Sequence, residues 1–201
     1  MAHHKPFRVT GFHSCDRDEV GLRVLTGDLE LNPSKNTWDW LGPGVYFWEQ
    51  NPQRALEYAI ESATGTQFNR KPIQNPFVIG ATIELGHCLN LVEPESIKLL
   101  KVGYEGVMKA YQELGKKLPE NNDANRRLDC AVIQYIQQSQ TQKYDTIRCP
   151  FSEGEVVYPG ANFTNRLHIQ ICVLNPDNIE GYFLPRPVKK YNPYFGKNFH
   201  S

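Results

Sequence analysis

The sequence contains no long apolar run, no excess of charge of either sign and no paired cysteine motif. Its 22 basic residues balance its 22 acidic residues, so no bulk electrostatic attraction draws the chain to nucleic acid or to an anionic membrane. No stretch approaches the ~18 consecutive apolar residues typical of a membrane-spanning helix. Any charged partner must therefore be bound by a local group of residues.

The cysteines are few and unpaired in sequence. There are five, widely separated and without a CxxC motif, which argues against a disulfide-rich secreted scaffold and against a zinc site. The N-terminal MAHHKPFRVTGF also lacks the apolar segment of a signal peptide. We therefore expect a cytoplasmic protein that uses no metal.

A glycine-rich phosphate-binding loop is absent as well, because the glycines form neither a GxGxxG nor a Walker pattern. Side chains would have to hold any diphosphate. The basic residues nearest in sequence to the features described below are Arg17, Arg23, Lys35 and Arg54.

The order of predicted elements indicates the fold class. Short strands are predicted near the N-terminus, and short strands return from 145 onward. Between them, 94–118 is predicted to be mainly helical with an interruption near Gly103 and Gly106, and 122–138 is predicted to be a second, amphipathic helix. This pattern predicts one α+β domain over 1–201, with a split sheet and a core over about 6–185. The tail over 186–201 is aromatic and basic, which suits packing on the domain, binding of single-stranded nucleic acid or binding of a protein partner.

One short segment is unusually aromatic. The stretch WDWLGPGVYFWEQNPQRALEYA, 38–59, contains all three tryptophans of the chain. Tyr46 closely follows the glycines of a Gly-Pro-Gly turn, and Tyr58 lies in a helix predicted to begin at Pro52. Rings beside a turn where backbone can approach closely suit a flat heteroaromatic ligand. The alternative is that these rings are ordinary core aromatics.

Three separated pieces of the chain together resemble the ADP-ribosyltransferase fold, in the His-Tyr-Glu branch of diphtheria-type toxins and poly(ADP-ribose) polymerases. The pieces are His13-Ser14 at the end of the first strand, Gly44-Val45-Tyr46-Phe47 followed by Tyr58, and QICVLNPDNI over 170–179. The resemblance covers about residues 6–185. It implies split antiparallel β-sheets with flanking helices, and NAD as co-substrate.

The resemblance also implies a role for each of these residues. His13 would hydrogen-bond the nicotinamide ribose, the backbone of Ser14 would hold the nicotinamide amide, and Tyr46 and Tyr58 would enclose the ring. Gly44 and Phe47 would complete the NAD-binding strand. A carboxylate would stabilise the positive charge that develops on the ribose as the glycosidic bond breaks.

The third piece departs from the family pattern at the position where that carboxylate is expected. Gln170 stands there and carries no charge, which weakens a polymerase and permits a mono-transferase. Glu153 and Glu155 lie upstream in an arrangement similar to the Glu-x-Glu of the arginine-type branch, and we favour Glu153 as the carboxylate with Gln170 as its strand partner. His168 shares a strand face with Gln170 by period two, so it either lines the cleft or is a structural histidine.

The favoured hypothesis is therefore an NAD-dependent mono-ADP-ribosyltransferase of toxin or effector type, acting on a protein or nucleic-acid acceptor. By analogy with such toxins, a neutralising antitoxin is an expected partner. Two alternatives remain open. One is a catalytically inactive member of the fold that binds NAD or ADP-ribose, and the other is an unrelated α+β protein-interaction module.

Overall fold

The computed structural model of the protein describes residues 7–65, 73–122 and 125–199, so both ends of the predicted domain lie outside the described residues. The strands are β1 Arg8–Asp16, β2 Val45–Glu49, β3 Pro76–Glu84, β4 Cys88–Asn90, β5 Thr146–Val156, β6 Thr164–Val173 and β7 Ile179–Phe183. The α-helices are α1 Leu22–Thr26, α2 Pro52–Ala63, α3 Pro94–Glu113, α4 Arg127–Ser139 and α5 Val188–Tyr191.

The strands form one seven-stranded sheet in the order β4-β5-β6-β2-β1-β3-β7. The α+β class is as predicted, but the implied split antiparallel β-sheets are wrong, because the described strands form one sheet that includes a parallel pair. Strand β4 pairs with β5 in parallel, because the long connection through α3 and α4 returns the chain to the same end of the sheet. The other strand pairs are antiparallel.

The two central strands, β1 and β2, diverge after a short contact. They pair only at Gly11 with Glu49 and at Phe12 with Trp48. Beyond that point β1 remains paired with β3, whereas β2 is paired with β6 over 45–48. A gap therefore opens within the sheet between the end of β1 and the start of β2.

Helix α2 begins where the sequence predicted. The Asn51 side-chain oxygen accepts a hydrogen bond from the Arg54 backbone N–H (3.0 Å), and Pro52 occupies the first turn, so both start signals are used. The buried face of the helix, including Ala55 and Leu56, packs in a cluster with Phe12, Trp48 and Val78. This packing holds α2 against the sheet beside the gap.

Helix α3 is continuous through Gly103 and Gly106, so the predicted interruption is wrong. A Cβ at Gly103 would lie 2.6 Å from a side-chain carbon of Ile136, and one at Gly106 would collide with the ring of Tyr135. Both of those side chains come from α4. These glycines therefore allow two helices to pack closely, and close packing outweighs the low helix propensity of glycine.

The C-terminal tail packs on the domain over its described residues. Asn192 is buried, and its amide bonds both the N–H and the carbonyl oxygen of Val78 (2.7 and 2.9 Å). The Arg17 guanidinium donates to the carbonyl oxygens of Tyr194 and Lys197 (2.8 and 2.7 Å). Of the alternatives for the tail, packing on the domain is the one observed.

Candidate functional site

A cleft of about 290 Å³ lies at the gap between β1 and β2. It gathers residues from β1, β2, α2, β5, β6 and the segment before β2. All of the predicted site residues except Phe47 line it. The lining residues are His13, Ser14, Asn32, Ser34, Asn36, Asp39, Trp40, Gly44, Val45, Tyr46, Trp48, Tyr58, Glu153 and Gln170.

His13 joins the two diverging strands. Its Nδ1 lies 2.8 Å from the Tyr46 carbonyl oxygen, and because a carbonyl oxygen only accepts, Nδ1 must carry the proton. Burial lowers the pKa of His13 from its ordinary value of 6.5, which favours the neutral ring. In that ring Nε2 is a hydrogen-bond acceptor on a cleft-lining side chain.

Ser14 and Tyr58 line the cleft from β1 and α2. The Ser14 hydroxyl donates to the carbonyl oxygen of Ala55, which ties the end of β1 to α2. The Tyr58 ring packs on Trp48 with ring centroids 4.9 Å apart and planes tilted by 50°. The Trp48 indole N–H is buried and has no hydrogen-bond partner among the described residues.

Tyr46 and Phe47 point to opposite faces of β2, as successive strand residues must. Phe47 is fully buried and packs in a core cluster with Val45 and Ile171, so its predicted role in NAD binding is wrong. Tyr46 lines the cleft, but its hydroxyl is already used, donating to the Gly42 carbonyl oxygen (2.6 Å) and accepting from the Leu41 N–H (3.1 Å). Only its ring is left for a ligand.

Gly44 is required where β2 meets β6. A Cβ there would collide with the Cys172 thiol and lie 2.8 Å from the Val173 carbonyl oxygen. Gly44→Ala is therefore expected to lower the free energy of unfolding by about 1–3 kcal/mol through overpacking, measured by urea denaturation. Gly181→Ala is the matched control, because an added Cβ on that strand glycine meets nothing within 4 Å. Equal stabilities of the two variants would contradict this packing.

Glu153 lies on β5, so its predicted position in a loop is wrong. Its carboxylate accepts a hydrogen bond from Arg54 Nη2 (3.2 Å). The buried Arg54 guanidinium lies over the rings of Trp48 and Tyr58, at 5.8 and 6.0 Å from their centroids. The carboxylate is thus fixed by an ion pair at the edge of the cleft, while Glu155, which is exposed, does not line it.

Arg54 has a second acidic neighbour. Glu61 lies 3.7 Å from Arg54 Nη1 and 2.6 Å from Arg166 Nη2. Arg166 also sits opposite Glu153 in the β5–β6 pairing. Two arginines and two glutamates therefore form a series of ion pairs that reaches the cleft at Glu153 and holds its carboxylate in place.

Gln170 lines the cleft from β6, directly opposite Trp48 in the strand pairing. The side chain of His168, two residues away on the same strand, approaches it: the Gln170 Nε2 and the His168 Nε2 are 3.0 Å apart. His168 is buried and stacks on Phe151. Gln170 and Glu153 thus reach the cleft together, from strands that pair in register.

The sequence did not reveal one wall of the cleft, which is formed by Asn32, Ser34, Asn36, Asp39 and Trp40. Ser34 exchanges backbone hydrogen bonds with Gly44. Its hydroxyl donates to the buried Asp39 carboxylate, which the Asn36 amide also approaches. The polar residues clustered before the Gly-Pro-Gly turn were the available signal, but their pairing with β2 is a tertiary contact.

A second cavity of about 310 Å³ adjoins the first and shares His13, Ser14, Asn32 and Tyr58 with it. Its other walls come from the end of β1, the turn after it, and residues 29–31. Asp16 lines this cavity, but its carboxylate already accepts four backbone N–H groups. The two cavities are therefore neighbours with the His13-Ser14 pair in the wall of both.

Two histidines, the half-buried His13 and the buried His168, predict a pH dependence of stability. Burial lowers the pKa of His13 and of His168 from 6.5, so below pH 6.5 the unfolded chain binds protons that the folded chain does not. Stability is therefore complete above about pH 6.5 and decreases as pH falls toward the folded-state pKa values, by at most ~1.4 kcal/mol per pH unit for each group. Urea unfolding between pH 7.5 and 5.5 measures this, and unchanged stability would contradict it.

The remaining candidates give no second site. Cys15 is buried, and burial raises the pKa of its thiol well above the ordinary value, so the nucleophilic thiolate is disfavoured. In the described ranges no group of three or more His, Cys, Asp or Glu side chains is placed to hold a metal ion. No described helix is long and apolar enough to cross a membrane.

Comparisons of the chain with protein-family models, with curated proteins and with solved structures gave no significant match.

Proposed function

We propose that this protein is an NAD-dependent mono-ADP-ribosyltransferase of the ADP-ribosyltransferase fold, which transfers ADP-ribose from NAD to a protein or nucleic-acid acceptor and releases nicotinamide. The observation that carries the proposal is the convergence of the three sequence pieces. His13, Tyr46 and Tyr58 line one cleft together with Glu153 and Gln170, although they come from both halves of the chain.

The aromatic walls suit the nicotinamide ring. That ring is flat and positively charged in NAD, and faces of aromatic side chains attract such groups. Tyr46, Trp48 and Tyr58 supply rings from β2 and α2. The gap in the sheet would allow a ligand to approach the strand backbone at Ser14, where β1 no longer pairs with β2.

The polar groups suit the ribose and the bond that breaks. The His13 Nε2 would accept a hydrogen bond from a ribose hydroxyl, and Gln170 would bind the neighbouring hydroxyl. As nicotinamide leaves, positive charge develops on the ribose, and the Glu153 carboxylate would stabilise that charge more than it stabilises bound NAD. Arg54 would keep the carboxylate in place at the edge of the cleft.

The rest of NAD would occupy the second cavity. Pockets for small ligands commonly have volumes of about 300–1,000 Å³, and two adjoining cavities of about 290 and 310 Å³ suit a ligand built of two nucleosides. Of the basic residues considered for the diphosphate, Arg17 and Arg54 are bound within the protein. Arg23 and Lys35 are both exposed. Only Lys35 stands between two cleft-lining residues, Ser34 and Asn36, and we therefore assign it to the diphosphate.

One observation favours a second candidate, a catalytically inactive member of the fold that binds NAD or ADP-ribose. Arg54 neutralises Glu153, and the strand position expected to hold glutamate holds Gln170. In such a protein NAD would bind without turnover.

Release of nicotinamide from NAD by the purified protein, alone and with added cell lysate, tests the proposal. We expect release by the wild type and its loss in Glu153→Gln and His13→Ala variants. NAD binding by calorimetry, with no release in any lysate, would select the inactive candidate, and absence of both binding and release would overturn both.

A further inference from the structure

His168 and Gln170 are in contact, and the structure determines which of the two side chains donates the hydrogen bond. They lie two residues apart on β6 and therefore share a face of the strand. The His168 Nδ1 is 2.7 Å from the Arg166 carbonyl oxygen, and its Nε2 is 3.0 Å from the Gln170 Nε2. Both ring nitrogens of the buried histidine are thus engaged.

The contact of His168 with the Arg166 carbonyl oxygen determines which group donates in the contact with Gln170. A carbonyl oxygen can only accept a hydrogen bond, so the proton of the neutral ring must be on Nδ1. Nε2 then has a lone pair and can only accept. The Gln170 group facing it must be the donating NH₂, which leaves the Gln170 carbonyl oxygen on the other branch of the amide.

We infer that His168 is a positioning residue that holds the Gln170 amide with its carbonyl oxygen available to the cleft. That oxygen has no hydrogen-bond partner among the described residues. Gln170 itself lines the cleft. The orientation gives the cleft an acceptor at this position instead of a donor.

The use of this orientation in binding the ribose rests on the proposed function. A carboxylate oxygen and an amide oxygen both accept a hydrogen bond from a ribose hydroxyl, so a correctly oriented glutamine performs the hydrogen-bonding role of the family glutamate without its charge. The charge would come from Glu153, on the neighbouring strand. Two residues would thus share the role that one glutamate has in the His-Tyr-Glu branch.

The surroundings of His168 maintain the required tautomer. The ring stacks on Phe151, with centroids 5.9 Å apart and planes within 28°. The charged groups that act on it are Glu153 on β5, which favours a protonated ring, and Arg54 on α2, which disfavours one, while burial disfavours protonation most strongly. A carboxylate at 170 would face the Nε2 lone pair and be repelled, so this histidine and glutamine are a matched pair.

The orientation can be measured directly by NMR of the ¹⁵N-labelled full chain at pH 7.5, with a His168→Phe variant to assign the signal. We expect His168 to show a protonated Nδ1 and an unprotonated Nε2, with a scalar coupling across the hydrogen bond to the Gln170 side-chain nitrogen. A protonated Nε2 would overturn the inference. This measurement needs no turnover, so it decides the orientation even if the proposed function fails.

Kinetics then test the positioning role. His168→Phe keeps a ring for Phe151 but removes the acceptor, and we expect kcat for nicotinamide release to decrease about tenfold while KM for NAD changes less than twofold. His168→Gln places an amide oxygen near the position of Nε2, so its kcat should recover most of the loss. If His168 were purely structural, His168→Phe, which keeps a ring, would instead be the more active of the two variants. An active wild type with an equally active, folded His168→Phe variant would overturn the role.

Discussion

Replacement of Glu153 by glutamine is expected to lower kcat for nicotinamide release by about 10²–10³-fold, the size of effect seen when one electrostatic group aimed at a transition state is removed. NAD affinity should change less than about threefold, because in the proposed reaction the carboxylate would act mainly on charge that develops after binding. The amide of the variant can still accept the hydrogen bond from Arg54. Folding should therefore be nearly unchanged, and steady-state kinetics with calorimetry separates these quantities.

Glu155→Gln is the matched control for this effect. Glu155 lies on the same strand, two residues on, but is exposed and does not line the cleft. Removing its charge changes the net charge of the chain by the same amount and should leave kcat unchanged. If both variants lost activity equally, the effect would be one of overall charge, and the role of Glu153 would be contradicted.

Replacement of His13 by alanine is expected to weaken NAD binding about 10–100-fold, which corresponds to ~1.4–2.8 kcal/mol. The imidazole would contribute a hydrogen bond to the ribose, and its Nδ1–H also connects β1 to the Tyr46 carbonyl oxygen across the gap. Loss of that connection would loosen the wall that carries the Tyr46 ring. Calorimetric titration with NAD measures the effect.

His87→Ala is the control for His13→Ala. His87 stacks on Tyr144 with ring centroids 4.4 Å apart and does not line either cavity. We expect this variant to bind NAD like the wild type. Unaltered NAD affinity in a folded His13→Ala variant would contradict the role of His13 in NAD binding.

Local patterns predicted seven of the fourteen residues that line the cleft, because each of these patterns has a local physical cause. Helix α2 begins at Pro52 because Asn51 caps it, and this places Tyr58 toward the cleft. Tyr46 follows a turn that only glycine permits, since Gly42 has φ +80°. Such features depend on residues close in sequence.

The features that the sequence did not reveal depend on strand register and helix placement. Phe47 and Tyr46 are both aromatic, and only the pairing of β2 with β6 determines which of them faces the core. Arg54 pairs with Glu153, 99 residues away in sequence. Likewise, the parallel partner of β5 was not predictable, because β4 is only three residues long.

In the proposed reaction the protein cleaves NAD and transfers only its ADP-ribose part to a macromolecule. Two preparations of NAD test it, one with ³²P in the adenylate phosphate and one with ¹⁴C in the nicotinamide, each incubated with protein and cell lysate. We expect that ³²P enters acid-insoluble material, that ¹⁴C stays soluble as free nicotinamide, and that Glu153→Gln prevents both changes. Soluble ³²P with no free nicotinamide for the wild type in every lysate would contradict it.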